Sequence, residues 1–140
     1  MKQRTYCKEQ MKADLMRVYR EVTSNGECRC QTEAYELTVT HPAPRFYVDV
    51  RWAHQRLSPM MRGDRRELEK MSPLTRSMYE DLFETVLRLS QKEKYWGKPL
   101  YYIVRHAVQE PAKRFYISAA RMGQIWLEKK RRKGEVRSVK

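Results

Sequence analysis

The residues able to do chemistry are few and scattered. His41, His54 and His106 fall at none of the spacings that place two imidazoles on one metal, and the five glycines form no phosphate-cradling loop. Cys28-x-Cys30, with Cys7 and His41, would give four donors, but structural zinc sites space their cysteines C-x₂₋₄-C and in pairs. Three thiols, an odd number, also argue against a disulfide framework. No carboxylate pair with a downstream lysine suggests a metal nuclease, and no histidine is followed by arginine at the spacing of a tyrosine recombinase. Arg62-Gly63-Asp64 reads as a helix-entry turn. The expectation is therefore a non-enzyme with no metal and no cofactor.

The chemistry left is recognition of a polyanion. Thirty Lys and Arg against seventeen Asp and Glu give a net charge of +13, which points to nucleic acid before an anionic membrane. Residues 1–70 and 71–126 each carry +4, and the last fourteen carry +5. There the run Lys129, Lys130, Arg131, Arg132, Lys133 exceeds what a helix C-terminus needs and suits phosphate contact, which adds affinity without reading sequence. Base reading needs forked donors and acceptors: Arg bonds guanine O6/N7, and Gln bonds adenine N6/N7. The candidates are Arg51, Gln55 and Arg56 in one stretch and Arg121 and Gln124 in another. Arg45 and Arg114 join them, with two readings open: phosphate contact, or a buried ion pair with Asp14 and Asp81.

Those residues recur in a pattern. Pro42-Ala43-Pro44-Arg45-Phe46-Tyr47-Val48 returns as Pro111-Ala112-Lys113-Arg114-Phe115-Tyr116-Ile117, with Gln55 and Gln124 thirteen positions after each first proline. Upstream, Met11-x-x-Asp14-Leu15 matches Met78-x-x-Asp81-Leu82. This reads as two diverged copies of one unit packed as a pseudo-symmetric pair. The repeat also decides an ambiguous stretch. Residues 34–40 alternate like a strand, but Leu100, Ile103, Val104, Ala107 and Val108 line one face of a helix, so the earlier stretch should be helical too. Phe46, Tyr47, Phe115 and Tyr116 read as core anchors.

Each copy then predicts three helices. The first run over 9–22 and 73–89, with Ser72 as cap and Pro73 in the first turn. The second run over 33–40, capped by Thr32, and 100–109. After the extended PAxRFY connection, Asp49 and Ser118 cap third helices over 50–57 and 119–130. Asn25-Gly26 and Trp96-Gly97 mark turns, and Asp64-Arg65-Arg66-Glu67 resembles a capping box opening a short helix to Met71. The fold class is all-α: two three-helix units, 1–70 with a linker helix and 71–126, in one compact domain, with a basic C-terminal extension over 127–140.

Residues 32–57 and 99–127 resemble tandem tri-helical helix-turn-helix DNA-binding modules. The resemblance implies that the third helix meets base edges, with Ser118–Trp126 as the recognition helix. The connection is longer than the three- to four-residue turn of that family. In general make-up the chain is similar to small basic helical proteins of phage and mobile elements, terminase small subunits among them. The expected partner is nucleic acid, duplex DNA foremost, with a protein partner or a second copy as an addition, no membrane, and a cytoplasmic location. The alternative is a structural or adaptor component of such an assembly, anchored through exposed Tyr101, Tyr102, Trp126, Met60 and Met61.

Overall fold

The computed structural model describes the backbone of residues 2–24, 26 and 28–138, and the side chains of residues 8–24, 26 and 28–131. The described chain is all-helical: α1 (Lys2–Ser24), α2 (Gln31–Thr40), α3 (Val50–Met61), α4 (Arg66–Glu69), α5 (Pro73–Ser90), a 3-10 turn (Glu93–Tyr95), α6 (Leu100–Ala107) and α7 (Ala119–Ser138). No helix among the described residues is long and apolar enough to cross a membrane.

The apolar spacing dictates which faces turn inward. Leu15, Met16, Val18 and Tyr19 of α1 are buried, as are Tyr79, Leu82, Val86 and Leu89 of α5. The ambiguous stretch 34–40 is helical, and Ala34, Thr38 and Val39 are its buried side. Thr38 satisfies its buried hydroxyl by donating to the Ala34 carbonyl at 2.7 Å. Asp49 caps α3, its carboxylate accepting from the Trp52 amide at 3.4 Å. The Ser118 hydroxyl does the same for α7, accepting from the Arg121 amide at 3.1 Å.

Several helix ends differ from the sequence expectation. The α2 cap position is Cys30, without a side-chain bond, and Thr32 lies inside the helix. Ser72 precedes α5, but its hydroxyl turns to Thr75 Oγ1 at 3.0 Å instead of to an amide. Helix α6 stops at Ala107, α3 runs through Pro59 to Met61, α4 is a single turn, and α7 continues well past Lys130.

The centre of the molecule is where the two PAxRFY segments meet. Ala43 and Ala112 exchange both backbone hydrogen bonds, at 3.0 and 2.9 Å, as one antiparallel bridge. The Phe46 amide donates to the Val108 carbonyl at 2.8 Å, and the Phe115 amide to the Val39 carbonyl at 2.9 Å. Phe46 and Phe115 are 1% and 0% exposed, so they are core anchors as expected. Phe46 stacks on Tyr116 with centroids 6.0 Å apart, and Tyr47 on Phe115 at 5.8 Å.

Packing then crosses between the two stretches. Helix α2 lies against α1 and α7, and α6 lies against α5 and α3. This departs from the helix-turn-helix expectation, in which the second and third helices of one unit pack together. The cause is local: prolines at 42, 44 and 111 keep the connections out of helical geometry, so each carries its third helix across to the other stretch.

Candidate nucleic-acid interface

Because α3 packs on α6, the outer sides of these two helices form one surface. Arg51 and Gln55 lie one turn apart on α3, both exposed, and Arg62 stands exposed at its C-terminal end. Tyr101 and Arg105 lie one turn apart on α6, also exposed, with Lys98 just before the helix. His54 meets Tyr101 edge-on at 5.5 Å along the seam. Neither helix contains an acidic residue. The acids at the margins are already engaged. Glu67 lies 3.7 Å from Arg56, Asp64 3.0 Å from Arg66, and Glu110 3.6 Å from Arg88. Hydrogen bonds from Arg66 hold the Asp64 carboxyl down at about 2. Arg51, Arg62 and Arg105 make no ion pair among the described residues.

The other candidate residues have different surroundings. Arg56 is half-buried, held between Glu67 and the Trp52 ring, whose centroid is 5.6 Å from the guanidinium. Arg121 is half-buried on α7 and donates to Gln124 Oε1 at 3.2 Å, so the two satisfy each other. That helix lies on α2, which adds Glu33 and Glu36 and no cation.

For Arg45 and Arg114, the expected alternatives were phosphate contact and a pair with Asp14 or Asp81. The ion pair is not formed, since Asp14 and Asp81 lie nearest Arg17 and Lys113; Arg45 Nε donates to the Phe46 carbonyl at 3.2 Å. Arg114 donates from Nε to Phe115 at 2.9 Å and from Nη2 to Ile117 at 3.2 Å. Both guanidinium groups tie down the extended connection. The carboxylates go to the tyrosines: Tyr47 Oη donates to Asp14 Oδ2, and Tyr116 Oη to Asp81 Oδ2 at 2.6 Å. Burial, and then the hydrogen bond and charge of the aspartate, push both phenols well above the usual tyrosine range. The half-buried Tyr47 and Tyr116 are braces, not stacking platforms.

Lys129, Lys130 and Arg131 are exposed on α7. The helix continues through Arg132 and Lys133, whose side chains lie outside the described residues. Cys7, the third thiol, lies outside them as well. Of the surface anchors an adaptor would use, Met60 is buried and Tyr102 and Trp126 are half-buried, while Tyr101 and Met61 stay exposed.

One feature was not singled out from sequence. Trp52, at the start of α3, is 47% exposed. It edges a groove of about 780 Å³ lined also by Met11 of α1, Met78 and Tyr79 of α5, and Met71, with Lys8 and Lys70 at the rim. A tryptophan one residue after Arg51 is ordinary in sequence. Only the approach of α1 and α5 to the same end of α3 makes it a wall. No family model, no curated protein and no solved structure matches this chain.

Proposed function

We propose that this protein binds nucleic acid, duplex DNA foremost, through the outer face of α3 and α6 and the cations of α7, and that it catalyses no reaction. The observation behind this reading is the α3–α6 surface, whose two helices contain no acid and where Arg51, Arg62 and Arg105 make no ion pair among the described residues; the carboxylate that acts on Arg62, Asp64, is already bonded to Arg66. Exposed cations without a paired carboxylate leave a positive face that favours an anionic partner. A phosphate backbone supplies a row of such anions, and Gln55 and Arg51 are the side chains on this face suited to base edges. Lys129, Lys130 and Arg131 add charge without sequence information.

We further read residues 1–70 and 71–126 as two diverged copies of one three-helix unit, with the third helices exchanged. Support comes from contacts that recur 67 to 69 residues apart: the reciprocal Ala43–Ala112 bonds, the Phe46 and Phe115 amides, and the two tyrosine–aspartate pairs.

The test is a salt titration of binding to a mixed-sequence duplex. Six phosphate contacts would give a log–log slope of about −5, and R51A/R105A would bring it up by about 2. A slope near zero, or no binding at low salt, would refute the reading.

A further inference from the structure

The groove beside α3 has a composition that the outer face lacks. Its lining includes the apolar side chains of Met11, Met71 and Met78 and the ring of Tyr79. Its wall offers the Trp52 indole, 47% exposed even with the Arg56 guanidinium 5.6 Å from its centroid. Its rim is positive. Glu67 is shared between Arg56 at 3.7 Å and Lys70 at 4.0 Å, so one carboxylate faces two cations, and the exposed Lys8 adds a third. Asp49, the other acid in the wall, caps α3 through Oδ2, while its Oδ1 is buried with no hydrogen-bond partner, so the lining holds three cations against two carboxylates. Trp52 directly follows Arg51, so the groove and the outer face share one helix and lie on adjacent sides of it.

We propose that this groove takes an unpaired nucleobase from a strand held on the α3–α6 face, stacked on Trp52, with its flanking phosphates met by Lys8 and Lys70. This rests on the nucleic-acid reading above and adds a preference for strands with an accessible base. A base presents a flat π-face for the indole and guanidinium, and every base has one, so the contact tolerates any sequence. The backbone bears the negative charge that the rim complements. An apolar peptide would match the methionines but add no counter-charge to a rim where Glu67 already serves two cations. A paired base has both faces stacked and cannot enter.

The experiment compares the wild-type chain with W52A, W52F and K8E/K70E on three probes. These are a short mixed-sequence single strand, the matching duplex, and that duplex with one bulged base. A nucleoside monophosphate serves as a fourth arm, separating capture of a free nucleotide from capture of a base within a strand. W52A is expected to lose roughly 5- to 100-fold on the single strand and the bulged duplex and to stay within about twofold on the plain duplex. W52F, which keeps a ring, should retain most of the affinity. K8E/K70E changes only exposed side chains, so it reports on the groove even if W52A folds poorly, and it should weaken the single strand more than the duplex.

Undiminished single-strand binding by W52A and K8E/K70E, with duplex binding intact, would overturn the proposal and leave the groove to a protein segment. Equal losses on all probes would overturn it too, by making Trp52 part of the backbone-contacting face. Tight binding of the monophosphate alone would move the site to free nucleotides and overturn its tie to a strand. Absence of wild-type binding to every probe would instead fall on the nucleic-acid reading itself.

Discussion

Helix α3 lies on α6, and α7 lies on α2, with the two pairs joined at the Ala43–Ala112 bridge. Their inner sides are alike. Ala53 and Met122 are buried 69 positions apart, as are Ala34 and Ile103, and Val39 and Val108. Their outer sides are not. Where α3 has Arg51, α7 has Ala120. Where α6 has Tyr101 and Arg105, α2 has Thr32 and Glu36. Gln55 is open, whereas Gln124 is occupied by Arg121. The same packing thus supports an α3–α6 surface with cations on both helices and an α7–α2 surface whose cations all come from α7, beside an acidic α2. Buried positions are held by volume and apolarity, while exposed ones answer only to what touches them. The proposed nucleic-acid surface is therefore drawn on α3–α6, with residues 51–62 in the recognition role expected of Ser118–Trp126.

The largest effect should come from the shared centre. Phe46→Ala and Phe115→Ala should each cost about 3–5 kcal/mol of stability in denaturant titrations, by nearly the same amount. A wide gap between them would break the equivalence of the two pairs. Next in size is the outer face. R51A/R105A should weaken DNA binding by about 3 kcal/mol, roughly 100-fold in fluorescence anisotropy, if each arginine makes one charge-assisted bond. R121A/Q124A should change it by about twofold or less, since that pair is satisfied internally, and a larger loss would return α7 to the interface.

Smaller again are the two tyrosine–aspartate braces. Y47F and Y116F should each cost about 1–2 kcal/mol. Both phenols are raised in the folded chain, so the folded state holds protons above pH 10 that the unfolded state has released. Their contribution is complete below pH 10 and falls as pH rises past it. The Y47F/Y116F double variant should lose that alkaline slope in thermal melts. The smallest effect concerns Asp64. Its carboxyl, held at about 2 by Arg66, supports the folded state above the ordinary aspartate range and loses that support as pH falls through 2. D64N should flatten the acid limb of the stability curve and lower stability slightly at neutral pH, where the contribution of this exposed pair is complete but small.

The helices themselves were legible because apolar period and capping residues are local. Asp49, Ser118 and Pro73 stand where their chemistry says, and the α6 pattern correctly decided α2. Two things were not legible. Periodicity shows that Ala34, Thr38 and Val39 face something apolar, but not that the partner is α7 instead of α3. That choice depends on where the connections of nine and eleven residues lead. The roles of Arg45 and Arg114 were hidden for a related reason. An arginine beside an aromatic pair reads as a free cation until the backbone carbonyls it bonds are in place. The exposed sides of α3 and α6 were half visible: Arg51 and Gln55 stood out, but Arg105 and Tyr101 gained meaning only from lying next to them.

The reciprocal bridge also sets the order in which the chain can fold during synthesis. Ala43 has its partner 69 residues downstream, and α2 buries its inner side against a helix that begins at Ala119. While the ribosome is still making residues 44–118, α1 and α2 can pair with each other but the apolar side of α2 remains uncovered. Closing so long a loop costs chain entropy before any contact across it is gained. Assembly is therefore expected late, once the buried turns of α7 through Ile125 have cleared the exit tunnel.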